Sequence, residues 1–320
     1  MTVRKRSLDL VDGNDRAFHR HHESIRVEGR RGHFNDIYIS IIPHATENVV
    51  FFPGDVQHFD HVMRRGTFKS FAAYSYESMC DHYIRRFPCA NVWIIKPRMH
   101  AKGVSCYDNF LDNTDGEPSS YLIDGFAFLQ LQLLFEHTSA LFQGRQLTWD
   151  LPLHLLGFSR GAIVLNQLIT ELGSLLHLST SPTQVDTSLA EVVAECGSIS
   201  AFFERVESIE WIDGGCNIES MTFPTNESAL MLLNSFQHIQ LRVLTTPYHM
   251  KSPLRPWYNS DLALFQRACP HAQVISCFMD DSPSLQNHFD VLFVRRLANA
   301  VWLEGPRETF CASRQATSAA

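Results

Sequence analysis

The chain has 320 residues, 45% of them hydrophobic, and carries 27 Lys and Arg against 34 Asp and Glu for a net charge of −7. A chain of this length can bury one sizeable core, and its acidic balance argues against a general affinity for nucleic acid. It shows no secretory apolar core and no uncharged apolar run of about 18 residues, so the reading assigns no transmembrane segment.

The N-terminal stretch runs against the overall charge. Arg4, Lys5, Arg6, Arg16, Arg20, Arg26, Arg30 and Arg31 outnumber Asp9, Asp12, Asp15, Glu23 and Glu28. Residues 1–34 therefore read as a flexible basic arm. A targeting segment is the competing reading, and the acids oppose it. His19, His21 and His22 lie in this polar arm with no carboxylate or thiol at ligand spacing, so no metal is assigned there. Eight cysteines are scattered at 80, 89, 106, 196, 216, 269, 277 and 311 with no Cys-x-x-Cys, which favours free thiols over a zinc or redox motif.

Short apolar runs then alternate with longer helical patterns, the signature of a mainly parallel sheet covered on both faces. Ile37–Ile42 and Asn48–Phe52 predict two strands, close enough in sequence to form a hairpin. Helical patterning covers Gln57–Arg65 and Ala72–Arg86, and Asn91–Lys96 predicts a strand closed by Pro97. A long amphipathic helix is predicted over Ser120–Phe142, with Tyr121, Leu122, Phe126, Leu129, Leu133 and Leu134 at helical spacing. After a strand at Leu153–Gly157 and a helix from Gly161, residues 179–207 read as a possible cap or insertion. Strands follow at Ile209–Ile212, Ile239–Leu244 and Ala272–Phe278, separated by helices at Asn226–Phe236 and Asn259–Ala268. A final helix is predicted from Gln286 or His288 to Leu303, and residues 305–320 read as a frayed tail. Residues 35–304 thus read as one α/β domain, expected to be α/β-hydrolase-like on the motif that follows.

The motif that carries chemistry is Gly157-Phe158-Ser159-Arg160-Gly161, led by Leu153–Leu156 and followed by Ala162–Leu165. This is Gly-x-Ser-x-Gly between a strand and a helix, the nucleophile elbow. Gly157 and Gly161 remove side chains that would collide at the tight turn, and the helix N-terminus behind Ser159 supplies N–H donors and a positive dipole. With Ser159 as nucleophile, the fold's chain order asks for an acid and then a histidine in loops at the ends of later strands. His288, after the last strand, is the first choice for the base, and His249 the second. The commonest place for the acid follows the penultimate strand, where Thr245-Thr246-Pro247-Tyr248 contains no carboxylate. Asp213, one strand earlier and ahead of Gly214-Gly215, is assigned instead. Asp261 is second, and Asp280 or Asp281 third. For the oxyanion hole, the residue after the nucleophile gives the Arg160 N–H, and the loop Phe51-Phe52-Pro53-Gly54-Asp55-Val56 gives the N–H of Asp55 or Val56, with Gly54 allowing close approach. The Asp55 carboxylate would oppose an oxyanion unless it pairs with Arg160.

Phe51-Phe52-Pro53-Gly54-Asp55, Ser105-Cys106-Tyr107-Asp108-Asn109-Phe110, Gly157-Phe158-Ser159-Arg160-Gly161 and Thr245-Thr246-Pro247-Tyr248 occur in this order. In them the chain resembles, over residues 35–303, the animal family named for open reading frame 69 of human chromosome 2. The resemblance implies an α/β-hydrolase-like fold, serine hydrolase activity with Ser159 as nucleophile, and a mitochondrial location, with the cytoplasm as the alternative. The expected activity is cleavage of an ester, thioester or related acyl bond on a small, lipid-like substrate, without a cofactor or metal. The competing reading is a catalytically inactive member of the fold that serves as a binding partner or scaffold. A phosphate-binding or dinucleotide-binding function has no support, since neither Gly-x-x-x-x-Gly-Lys-Ser/Thr nor Gly-x-Gly-x-x-Gly occurs.

Overall fold

The structure is a computed structural model that describes residues 20–99, 103–112, 115–145, 147–174, 199–297 and 300–303. Its centre is an eight-stranded sheet built from β1 (His21–Glu28), β2 (Phe34–Ile41), β3 (Glu47–Phe52), β4 (Ala90–Ile95), β7 (Leu153–Phe158), β8 (Val206–Ile212), β9 (Gln240–Thr245) and β10 (Gln273–Ser276). The strand order is β1-β2-β4-β3-β7-β8-β9-β10. β1 and β2 run antiparallel to their neighbours, and the pairs from β4 onward are parallel. This topology, with an antiparallel edge and an elbow at the end of a central strand, is that of an α/β-hydrolase. A two-stranded ribbon, β5 (Arg98–Met99) with β6 (Ser105–Cys106), stands apart from it.

The central parallel strands are buried on both faces, which is why β3 and β4 read as nearly continuous apolar runs. Their side chains alternate between two cores. Val50, Phe52, Trp93, Ile95, Leu153, Leu155, Ile209, Trp211, Leu241 and Val243 point into one. Val49, Phe51, Val92, Ile94, Leu156, Phe158, Ile212 and Leu244 point into the other. The first core is closed by α3 (Phe126–Leu141), α4 (Ala162–Glu171), α5 (Ile199–Phe203), α6 (Glu227–Ser235) and α8 (Tyr258–Ala268). The second is closed by α2 (Tyr76–Arg86) and α9 (Leu285–Asp290). Two further short helices, α1 (Asp60–Met63) and α7 (Pro247–Met250), sit in the loops after β3 and β9.

Several helix starts are set by capping side chains. Ser75, Asn226, Thr246 and Ser284 accept main-chain N–H bonds at the N-termini of α2, α6, α7 and α9. α3 is capped from a distance. The buried Glu171 carboxylate of α4 accepts the Ala127 and Phe128 N–H groups at 2.8 and 2.7 Å, two of the donors that a helix leaves unpaired in its first turn. Burial pushes the Glu171 carboxyl up to about 8, against the pull of those donors and of Gln167.

Four expectations are corrected. The flexible arm does not extend to residue 34, because His21–Glu28 is the edge strand β1, paired along its whole length with β2. Its charged residues hid it. Val27 is buried and Ile25 partly so, while charged neighbours such as Arg26 keep to the solvent side of an edge strand. The first two predicted strands do not form a hairpin, since β3, apolar on both faces, lies between β4 and β7. The long helix begins at Phe126 rather than Ser120, because Gly125 takes a left-handed φ of +75°. The last helix ends at Asp290, and a short antiparallel pair follows, β11 (Val294–Leu297) with β12 (Ala300–Leu303). Most of the possible cap at 179–207, the first part of the arm and the tail at 305–320 lie outside the described residues.

Candidate active site

The loops after β3, β7, β8, β9 and β10 gather at the C-terminal edge of the parallel strands, where open α/β sheets bind ligands. Ser159 follows β7 directly with φ +51°, in the left-handed region that non-glycine residues rarely enter. The turn tolerates no side chain on either flank. A Cβ at Gly157 would lie 2.7 Å from the Ala162 Cα, and one at Gly161 would lie 1.9 Å from the Phe52 carbonyl oxygen. From across the site, a Cβ at Gly54 would lie 2.7 Å from the Ser159 Cβ, so the loop after β3 runs directly over the serine.

Asp213 and His288 meet. His288 Nδ1 and Asp213 Oδ2 are 2.6 Å apart, with both side chains buried. Asp213 is fixed by Thr246, whose N–H donates to Oδ1 at 2.8 Å and whose hydroxyl donates to Oδ2 at 2.6 Å. It is held at φ +41°. Burial alone would raise its carboxyl. The His249 and His288 imidazoles and the Thr246 bond outweigh that effect and hold it below the usual carboxylate range. His249 is itself pushed down to about 3 by burial, so at neutral pH the bonds from His288 and Thr246 carry the effect. Two aromatic rings lie against His288. Phe158, the residue before the serine, is 4.7 Å away between centroids, and Tyr248 stacks on it at 4.5 Å. The main chain closes the group, with the Gly215 N–H donating to the Ser159 carbonyl at 3.2 Å.

The other candidates fall elsewhere. Asp261 accepts the Ser220 N–H, and Asp281 accepts from the Asn287 side chain on the exposed loop after β10. His249 is buried beside the pair, with its ring 5.3 Å from that of His288 and stacked on Tyr258. One ligand atom each from Asp213, His249 and His288 fits within 4.8 Å, but a cation there would have to displace the bonds that already occupy the Asp213 oxygens.

The loop after β3 carries a correction to the site. The Val56 N–H donates to the Gly103 carbonyl at 2.9 Å, and the Gly54 N–H to Gln57 Oε1 at 2.8 Å. Val56 is therefore not available as an oxyanion donor. Among the described residues the Asp55 N–H of this loop meets no acceptor, and the Arg160 N–H belongs to the turn Ser159–Gly161. The Asp55 side chain pairs with Arg160, whose Nε lies 3.1 Å from Oδ1. Burial opposes the Arg160 charge, but Asp55 and Glu117 outweigh it and hold the guanidinium above its ordinary value. Thr246, Gln57, Ser105, Tyr107 and Tyr248 were not singled out individually. Thr246 and Tyr248 stand in the Thr-Thr-Pro-Tyr segment, which drew notice for lacking a carboxylate and as one of the motifs of the family resemblance.

A sequence model of the family described as C2orf69 matches residues 27–149 and 137–274. The chain is 29% identical to the mitochondrial protein C2orf69 homolog of Danio rerio over 268 residues, covering 78% of this chain and 73% of that one. It is 27% identical to the mitochondrial protein C2orf69 of Homo sapiens over 307 residues, covering 78% and 74%. Among solved structures, it is similar to a carboxylesterase of Lactobacillus plantarum with a TM-score of 0.43 at 11% identity, covering 81% of this chain and 82% of that one. It is likewise similar to an esterase of Rhizomucor miehei with a TM-score of 0.43 at 9% identity, covering 84% and 78%.

Proposed function

This chain belongs to the C2orf69 family, and we propose that it is a mitochondrial serine hydrolase that cleaves an ester, thioester or related acyl bond through Ser159, His288 and Asp213. The observation that carries this reading is the buried 2.6 Å bond between His288 Nδ1 and Asp213 Oδ2, made at the edge of the sheet where Ser159 stands in a left-handed turn. A buried Asp bonded to Nδ1 fixes the tautomer that leaves Nε2 free to accept a proton, and it stabilises the imidazolium that results.

In the reaction, Ser159 Oγ attacks the acyl carbonyl carbon as His288 Nε2 takes its proton. The Asp55 and Arg160 N–H groups stabilise the oxyanion of the tetrahedral intermediate. Collapse breaks the bond to the leaving alcohol or thiol, which receives the proton from His288. Water, deprotonated by the same histidine, then attacks the acyl-enzyme and releases the acid. The rings of Phe158, Tyr248 and Phe289 around the base support an apolar acyl group. The inactive-scaffold reading drew on the missing carboxylate after β9. Asp213, reaching the same histidine from β8, removes that ground.

Hydrolysis of p-nitrophenyl esters and acyl thioesters of graded chain length tests the proposal. Turnover by the wild type with loss of at least about 10³-fold in Ser159→Ala is expected. Equal rates for the two proteins contradict it.

A further inference from the structure

The Ser105–Phe110 motif and the Arg160 side chain have no part in the chemistry described above, yet both converge on the loop after β3. Arg160 is buried. Its Nε reaches the two Asp55 carboxylate oxygens at 3.1 and 3.2 Å, and its Nη1 lies 2.7 Å from Glu117 Oε1 and donates to the Gly116 carbonyl. Glu117 in turn accepts the Asn217 N–H and side-chain amide at 3.0 and 2.6 Å, four residues beyond Asp213. On the other side, the Ser105 N–H donates to Asp55 Oδ1 at 2.7 Å and the Ser105 hydroxyl to the Gly54 carbonyl at 2.9 Å. The Tyr107 hydroxyl donates to the Pro53 carbonyl at 2.6 Å, and the Gly103 carbonyl takes the Val56 N–H. Main-chain groups of Pro53, Gly54 and Val56 are thus committed to neighbours, and among the described residues the Asp55 N–H meets no acceptor. Val56, a β-branched residue, is held at φ +61°, a conformation it does not adopt unless its surroundings impose it.

We propose that Arg160 is a positioning residue for the oxyanion hole: its guanidinium pins Asp55 and Glu117 so that the loop after β3 presents the Asp55 N–H, and it neutralises the carboxylate that would repel the oxyanion. The inference rests on the hydrolase reading. It assigns the Arg160 side chain a task separate from that of its own N–H, which every substitution other than proline retains. A buried guanidinium that holds one carboxylate through Nε and another through Nη1 is an arrangement that the single ammonium of lysine does not reproduce.

The test compares the wild type with Arg160→Met, Asp55→Asn and the double variant on p-nitrophenyl butyrate, and follows the exchange of the Val56 amide hydrogen. R160M is expected to lower kcat at least about 30-fold with KM within about threefold, since the interaction lost is one made in the transition state. Adding D55N is expected to restore about tenfold of that loss by removing the unpaired charge. Val56 exchange is expected to quicken at least about tenfold in R160M as the loop loosens. Wild-type kcat in R160M, unchanged Val56 exchange, or a double variant no faster than R160M overturns the inference. Should R160M not fold, Arg160→Lys takes its place, with about a tenth of the wild-type kcat and faster Val56 exchange expected, and wild-type values for both overturning it. If the wild type turns over no ester, the hydrolase reading fails. The exchange measurement then still decides whether the clamp exists.

Discussion

Ser159, Asp213, Val56 and Phe278 are non-glycine residues with positive φ, and they stand just beyond the ends of β7, β8, β3 and β10. Each such conformation costs on the order of 1–3 kcal/mol and persists where the surroundings fix it, so strain is concentrated where the chemistry is assigned. Asp213→Asn tests the acid. It keeps the size of the side chain but favours the wrong imidazole tautomer, and kcat is expected to fall about 10⁴-fold with the protein still folded. Ester hydrolysis alongside circular dichroism separates loss of rate from loss of structure. His288→Ala is expected to cost as much, whereas His249→Gln is expected to stay within about tenfold of the wild-type rate. The reverse ranking would transfer the base to His249. Gly161→Ala reports on the elbow itself. Its methyl would press into the Phe52 carbonyl oxygen, which lies 1.9 Å from the Cβ position, so a loss of at least about 4 kcal/mol of stability is expected in urea unfolding. A melt like that of the wild type would contradict the geometry.

At the scale of elements, β3 and β4 could be read because burial on both faces leaves a nearly continuous apolar run. In β7, β8 and β9 the polar His154, Glu210 and Arg242 interrupt the run, and in β2 apolar and polar residues alternate. β1 could not be read, since only one face of an edge strand meets the core and its alternation is lost among charges. The end of the chain misled for the opposite reason. Phe289, Leu292 and Phe293 keep helical spacing but pack into the core from a single turn of helix and a tighter turn after it. The turn at Ser159 and the meeting of Asp213 with His288 could be anticipated from the order of strands, although Asp213 follows β8 rather than β9, the commoner place for an acid. Val56 was misassigned because a main-chain N–H gives no sign in sequence of its acceptor, here a carbonyl 47 residues away in the chain. Capping by Glu171 was hidden in the same way, since it joins α4 to α3 through space. Local caps are legible and open to test. Asn226→Ala is expected to cost about 1 kcal/mol, read from the urea midpoint, and no change would remove Asn226 as the α6 cap.

For the whole molecule, buried carboxyls set two opposite slopes of stability with pH. The Glu171 carboxyl is raised from 4.5 to about 8, so between those values the folded chain keeps a proton that the unfolded chain has released. Stability then falls as pH rises through that window. Asp213 and Glu210 are lowered in the folded chain, against burial, by their bonds to His288 and Thr246 and to Arg86 and Arg242. Their contribution is present above the ordinary carboxylate range and is lost as pH falls through the folded values. Urea midpoints of the wild type are expected to drop from pH 5 to pH 8, with a shallower drop in Glu171→Gln. A parallel drop in both would show that the slope arises elsewhere.

The proposed reaction requires that Ser159 be made nucleophilic by the buried pair His288 and Asp213, which stand three loops and one loop away. Intact-mass spectrometry of the folded wild type after exposure to a fluorophosphonate tests this most directly. The account predicts one phosphonyl adduct, mapped to Ser159, absent in Ser159→Ala and formed far more slowly in Asp213→Asn. A folded wild type that takes up no adduct, or takes it up at another residue, contradicts it.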